Sequence, residues 1–349
     1  MKVALIAPPF ITVPPKDYGG TELFVAQLAE GLQKAGVPVV VYTIGESTVN
    51  VDRRWLYEKP EWPIKAVQHA FIKDMDHSAW AIRDAAETCD VIHLQSPQGI
   101  PCSRFTNVPI VFTLHGPHDP KLSEFYSHYP ELYYVGISEF QRRQESLPRI
   151  RTIHHGIDLS LYQLREHKQQ YLSFIGRIAP IKGTHVAIDV AKRVGIPLKI
   201  AGDIQPIYRD YFKAKIKPEL DGKFIEYVGL ADLKAKNELL GTSLAMLFPI
   251  KWNEPFGLVM VEAMACGTPV IAYRGGAVPE IMEEGHTGFI VEELEDAVEA
   301  VQRVPELSRK RCREVFEQRF TVTRMARDYL QAYKRLIGGK QNETLEAHE

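Results

Sequence analysis

Two carboxylates and a run of backbone amides share one short stretch of this chain. Glu254 and Glu262 flank Pro255, Phe256, Gly257 and Leu258, and an Ala-Met-Ala-Cys-Gly-Thr-Pro-Val run follows. The stretch comes after an apolar run, 243–250, that reads as a strand. Pro255 suits the first turn of a helix, where its missing N–H would go unpaired in any case. Phe256, Gly257 and Leu258 would then offer free amides at a helix N-terminus, a ready place for an anion. Glu254 would stand just before that helix and Glu262 two turns along it, both facing one ligand laid over the helix start. Carboxylates only accept hydrogen bonds, so they suit sugar and ribose hydroxyls, with a diphosphate on the amides between them.

Arg177 and Lys182 are the next pair with chemistry to offer. They follow the strand candidate 171–176 on a loop leading into a helix over 183–194. An Arg fork and a Lys point charge fit the oxygens of a diphosphate. They would favour a transition state in which a leaving nucleoside diphosphate gains charge. His115 ends the strand candidate 109–114, and Gly116 after it lets a ligand approach the backbone. His115 and His118 without further ligands do not make a metal site, and no Asp-x-Asp pair lies near the other residues, so no metal or other cofactor is expected. Gly19 and Gly20 sit between the first strand and the first helix, where open α/β sheets bind ligands. Arg142, Arg143, Arg149 and Arg151 form a basic stretch, read as a solvated face, although a phosphorylated acceptor or a membrane surface would also suit it.

At 349 residues the chain exceeds what one core normally serves, so two domains are expected. A net charge of −2 gives no global basic field for nucleic acid. The four cysteines, Cys89, Cys102, Cys266 and Cys312, are scattered, form no C-x-x-C pair and read as reduced thiols. Lys2 and the apolar run after it read as a first strand, not a signal peptide, and no apolar run nears the length of a membrane span. A cytoplasmic protein is expected.

Short β-rich apolar runs alternate with helical patterns, the mark of parallel sheets covered by helices. The first half offers strands at 3–8, 38–44, 90–95, 109–114, 133–137 and 150–154; the second offers 171–176, 197–202, 224–228, 244–249, 269–273 and 287–291. A helix over 21–34 would have Thr21 as its N-cap and Gly36 as its stop. The expected domains are 1–155, a linker over 156–170, and 171–322. The last helix, about 323–338, has no strand of its own to cover, and a polar tail over 338–349 should fray.

The segment Glu254–Glu262 resembles the paired-glutamate motif of family-4 retaining glycosyltransferases. Further matches run in order along almost the whole chain: Pro14-Pro15 with Tyr18-Gly19-Gly20-Thr21-Glu22, Thr113-Leu114-His115-Gly116, Gly136-Ile137-Ser138, His155-Gly156-Ile157-Asp158, Gly176-Arg177 through Lys182-Gly183, and Val278-Pro279-Glu280-Ile281. The resemblance implies an α/β protein of two facing Rossmann-like domains (GT-B), with the C-terminal helix crossing back to the first. It implies metal-independent sugar transfer from a nucleotide diphosphate donor, UDP-glucose first, to a hydroxyl acceptor, with retained configuration. By the same resemblance Glu254 holds donor-sugar hydroxyls, Glu262 the ribose, and Phe256, Gly257 and Leu258 give backbone contacts. His115 then lies beside the anomeric carbon.

Other chemistries share this architecture. A sugar-nucleotide epimerase or a glycosyl phosphorylase is the nearest rival, and a non-catalytic sugar-nucleotide sensor would keep the same donor contacts. A nicotinamide dehydrogenase is disfavoured because the first strand lacks G-x-G-x-x-G. The acceptor (saccharide, lipid or small molecule) would be chosen by the segments 46–80 and 117–130, which carry no readable motif.

Overall fold

The computed structural model describes residues 1–16, 19–64, 66–165 and 170–346, with side chains as far as Gly338. Two compact units emerge, Met1–Gly156 together with the chain from Val322 onward, and Ile157–Thr321.

The first unit is built on seven strands: β1 (Val3–Ile6), β2 (Val39–Ile44), β3 (Asp52–Tyr57), β4 (Val91–Leu94), β5 (Ile110–Leu114), β6 (Tyr133–Gly136) and β7 (Ile150–Thr152). They pair in the order β3-β2-β1-β4-β5-β6-β7, every pairing parallel. Helices α1 (Gly20–Lys34), α2 (Val67–Ala86), α3 (Pro120–Ser127) and α4 (Glu139–Arg142) cover them. Residues at successive positions of β1 turn to opposite faces, Val3 and Leu5 into the core under α1, Ala4 and Ile6 into the core under α2. Burial on both faces explains why β1 is apolar throughout.

The second unit repeats the plan with β8 (Leu172–Ile175), β9 (Leu198–Ala201), β10 (Ile225–Gly229), β11 (Met246–Phe248), β12 (Val270–Tyr273) and β13 (Gly288–Val291). Their order is β10-β9-β8-β11-β12-β13, again all parallel. Its helices are α5 (Thr184–Val194), α6 (Arg209–Tyr211), α7 (Leu233–Thr242), α8 (Leu258–Ala265), α9 (Val278–Ile281), α10 (Leu294–Arg303) and α11 (Arg309–Arg319).

The closing helix α12 (Val322–Glu346) belongs to the first unit, as the family resemblance implies. It buries Met325, Ala326, Tyr329, Ala332 and Tyr333 in the core under α1. Gly31 of α1 allows this approach, since a Cβ there would lie 2.7 Å from Val322 Cγ1 and 2.9 Å from Ala326 Cβ.

Several boundaries depart from expectation. The helix α1 starts at Gly20, and Gly19 with φ 153 is its N-cap, so Thr21 lies inside it and caps nothing. The segment 46–80 holds β3 and most of α2. Strand β3, Asp-Arg-Arg-Trp-Leu-Tyr, is a sheet edge with Trp55 and Leu56 exposed, so no buried stripe marks it. Helix α2 starts after Ala66 with no side-chain cap. Nor does 156–170 stand apart as a linker: Ile157 onward belongs to the second unit, and 166–169 lie outside the described residues. Helix α12 continues through Gly338 to Glu346, so the tail is helical where fraying was expected, and 347–349 lie outside the described residues. Among the described residues no helix is long and apolar enough to cross a membrane.

Candidate functional site

In the second sheet the strand order reverses between β8 and β11. The crevice outside the carboxyl ends of such a strand pair is where open α/β sheets bind ligands. Arg177 and Lys182 leave β8 there, and Trp252 and Glu254 leave β11. Two close approaches stitch the loops together. The Lys251 amide donates to Ile181 O at 2.8 Å. Gly183, at φ +73, packs so closely that a Cβ would overlap Pro249 O.

Lys182 Nζ lies 2.6 Å from Glu254 Oε2, with both side chains largely buried, 14% and 11% exposed. The indole Nε1 of Trp252 donates to the same oxygen at 3.1 Å, and the ammonium sits 4.5 Å from the Trp252 ring centroid. A buried ion pair of this kind is held by extra hydrogen bonds, because Coulomb attraction alone barely offsets desolvation. Arg177 is less satisfied: Nη1 reaches Gln205 Oε1 at 3.5 Å, and its buried Nε has no hydrogen-bond partner. A buried guanidinium N–H without an acceptor is unfavourable in a resting protein and suits an anionic ligand.

The backbone of Glu254 is fixed by the segment after β12. Its carbonyl accepts from the Ala277 amide at 2.8 Å. A Cβ on Gly276, at φ +58, would overlap Glu254 O and N, and one on Gly275 would come within 2.6 Å of Trp252 O. Both glycines let this segment lie flat against the chain that carries the acid.

Pro255 does not open the helix as expected. Gly257 has φ +86, a left-handed conformation that no right-handed helix contains, and it caps α8, which begins at Leu258. Glu262 is therefore about one turn into α8 rather than two. Phe256 is 2% exposed with its ring against Phe320 at 6.1 Å, so its side chain is core and only its backbone can meet a ligand. The amides of Leu258 and Val259 have no carbonyl one turn back within α8 to donate to, as at any helix start, while Met260 N donates to Gly257 O at 2.9 Å. Leu258 is half-buried.

Glu262 is buried, 3% exposed, and its Oε1 accepts from Tyr162 Oη at 2.7 Å and from Lys236 Nζ at 2.9 Å. Oε2 has no such partner among the described residues. Burial, with Glu262 alongside, pushes the Tyr162 phenol well above its ordinary range, so it stays a donor to the carboxylate. Tyr162, Lys236, Trp252 and Gln205 were invisible to motif reading. They stand in the supposed linker, on α7 or in irregular loops, with no spacing to mark them.

In the first unit, Gly19 and Gly20 open α1 beyond the end of β1. A Cβ on Gly19 would lie 2.7 Å from Glu22 Oε2, so the Glu22 carboxyl folds back over the glycine. Glu22 is 5% exposed, and desolvation pushes its pKa from 4.5 to about 7. The folded state keeps a proton there that the unfolded chain releases above about pH 4.5, so stability falls as pH rises from there to about 7. Thermal unfolding between about pH 5 and about pH 8 should show this: Glu22→Gln is expected to abolish on the order of 2–3 kcal/mol of the loss. Identical pH slopes for the two proteins would contradict it.

His115 stands at the end of β5. Its Nε2 is 2.8 Å from Gln95 Oε1, its ring stacks on His155 at 5.6 Å and 14°, and Phe24 meets it edge-on at 5.0 Å. Desolvation among these rings pushes its pKa down to about 3, so the imidazole is neutral at physiological pH. His118 turns elsewhere, with Nδ1 at 2.9 Å from Glu145 Oε1. Most of the basic stretch is engaged locally: Arg142 and Arg143 pair with Glu139, and Arg149 donates to Glu131 O, whereas the buried Nη1 of Arg151 has no hydrogen-bond partner among the described residues.

The model described as Glycosyltransferase Family 4 matches residues 18–161, and the model described as Glycosyl transferases group 1 matches residues 162–319. Spore coat protein SA of Bacillus subtilis is 26% identical over 244 residues, 58% of this chain and 63% of that protein, so the chain spans under two thirds of that relative's length. Sucrose-phosphate synthase from Thermosynechococcus elongatus superimposes with a TM-score of 0.80 at 20% identity, over 97% of this chain and 99% of that one. HepE from Anabaena, solved in complex with UDP and glucose, gives 0.77 at 18% identity over 96% and 100%. Two consecutive family matches over residues 18–319, on two Rossmann-like units closed by a returning helix, place the chain in glycosyltransferase family 4, with the GT-B fold.

Proposed function

We propose that this chain is a retaining, metal-independent hexosyltransferase that moves a sugar from a UDP-sugar, UDP-glucose first among candidates, to a hydroxyl acceptor. The observation that carries the reading is the Lys182–Glu254 pair at 2.6 Å at the β8/β11 switch point, on the same loop after β8 as Arg177, whose buried Nε has no partner among the described residues. The loops after β8 and β11 thus carry an acceptor-only carboxylate for sugar hydroxyls and two cations for a diphosphate, the groups that sugar–nucleotide cleavage requires. Lys182 spends one of its three donors on Glu254 and keeps others for phosphate oxygens. As the glycosidic bond breaks, UDP gains charge, and Arg177, Lys182 and the first amides of α8 stabilise it without a metal. Glu254 holds the transferred sugar and Oε2 of Glu262 takes the ribose; at the start of α1, Gly19 and Gly20 leave room for an acceptor. UDP as the nucleotide is supported by the HepE complex with UDP and glucose. Retention is supported by the family resemblance, and a cytoplasmic setting by the four unbridged cysteines.

The test is transfer from UDP-glucose to a panel of sugar and glycoside acceptors in excess EDTA, followed by NMR at early times. An α-linked product should form with UDP-glucose in preference to GDP- or ADP-glucose, at the rate seen without EDTA. A β-linked product, or turnover that EDTA abolishes and Mg²⁺ or Mn²⁺ restores, would overturn the reading.

A further inference from the structure

His115 is oriented by a chain of groups that starts in the middle of the sheet. His93 on β4 is fully buried, its Nδ1 2.7 Å from Tyr333 Oη and its Nε2 2.8 Å from Thr113 Oγ1, which is 3.0 Å from Tyr329 Oη. Both tyrosines come from α12, so the returning helix clamps this strand. Two residues on, Gln95 is 5% exposed and its Nε2 donates to His93 O at 3.3 Å. A carbonyl can only accept, so the amide nitrogen of Gln95 must face it. The amide oxygen of Gln95 is thereby turned toward His115 Nε2, 2.8 Å away. Flipping the amide would set two acceptors against each other at His93 O.

We propose that Gln95 is a positioning residue that locks His115 as the neutral tautomer protonated on Nε2, leaving the Nδ1 lone pair to accept a hydrogen bond from a substrate hydroxyl. An oxygen acceptor opposite Nε2 requires a proton there, and a neutral imidazole has only one. The low basicity of the ring keeps it neutral. His115 Nδ1 has no hydrogen-bond partner among the described residues. Phe24 and His155 contact the ring through their faces and edges and so fix its plane. The hydroxyl is one that a substrate presents at the carboxyl end of β5, and this part rests on the glycosyl-transfer reading; the tautomer does not.

Long-range proton–nitrogen NMR of the full chain with labelled histidine reads the tautomer directly, with His115 assigned by its loss in His115→Asn. The wild-type protein should show a protonated Nε2 and a bare Nδ1. Gln95→Met, which removes the acceptor at similar volume, should give a mixture of tautomers, while Gln95→Glu, which retains an acceptor, should keep Nε2–H. With UDP-glucose as donor, Gln95→Met should lower kcat about tenfold with donor KM little changed. A wild-type spectrum with Nδ1 protonated, or a Gln95→Met spectrum like wild type, would overturn the positioning role. A shifted tautomer with unchanged kcat would overturn the hydroxyl contact. A wild-type protein with no transferase activity but the expected spectrum would instead count against the functional reading alone.

Discussion

Glu254→Ala is expected to lower kcat by roughly a hundredfold or more, with nucleotide affinity kept. The carboxylate is 2.6 Å from Lys182 Nζ and accepts from the Trp252 indole, so it is rigidly placed before any donor arrives. In the proposed reaction the sugar ring flattens and gains positive charge at its anomeric carbon, and a fixed carboxylate favours that change most in the transition state. Removing it leaves the Lys182 ammonium without its partner and free to give all its donors to phosphate. UDP should therefore bind Glu254→Ala at least as well as wild type. Glu262→Ala is expected to do the reverse. Its loss deprives the ribose of an acceptor distant from the breaking bond, so KM for the donor should rise about ten- to a hundredfold with kcat nearly kept. It also strips Tyr162 and Lys236 of their shared acceptor, so some loss of stability should accompany the effect. Steady-state kinetics with varied UDP-sugar separates the two patterns.

Gly276→Ala should damage both folding and turnover, although residue 276 need touch no substrate. A Cβ at this left-handed position adds strain of about 1–2 kcal/mol. It would also overlap the backbone nitrogen and oxygen of Glu254, and overpacking of this kind costs about 1–3 kcal/mol. For a unit of this size that sum lowers Tm by roughly 10 °C. The segment can relieve the overlap only by moving away, which breaks the Ala277 N–H to Glu254 O bond and shifts the acid. A displacement of about 1 Å at a reacting centre can lower the rate a hundredfold. Gly285→Ala is the control, because Gly285 also has positive φ but nothing lies within 4 Å of its Cβ position. It should lose only the strain and keep full activity. Equal activity in Gly276→Ala and wild type would break the link between this turn and Glu254.

The parallel strands could be read from the sequence because both their faces are buried. Runs such as Val39–Ile44, buried along its whole length, and Val270–Tyr273 are mostly apolar, and the sequence locates each within a few residues. Strand β3 and helix α2 could not be read so, since the strand has an exposed face and the helix lacks a capping side chain. Arg177, Lys182 and Glu254 could be picked out by type and order, and the adjacency of β8 and β11 accounts for the contact of Lys182 with Glu254. What order could not convey is direct contact. The Lys182–Glu254 pair joins residues 72 apart, and Tyr162 and Lys236 reach Glu262 from 100 and 26 residues away. The start of α8 was misplaced because proline was weighed above the left-handed Gly257. Gln95 carried no signal at all, since its role depends on which atom of its amide faces His93 O.

The central claim is that the donor lies along α8 with its sugar at Glu254 and its ribose at Glu262. Calorimetric titration of the two alanine variants with bare UDP tests this most directly, because UDP has a ribose and a diphosphate but no sugar to transfer. Glu254→Ala should bind UDP at least as tightly as wild type, and Glu262→Ala about ten- to a hundredfold more weakly. Loss of UDP binding in Glu254→Ala with normal binding in Glu262→Ala would contradict the account, by showing that the nucleotide occupies the opposite end of the site.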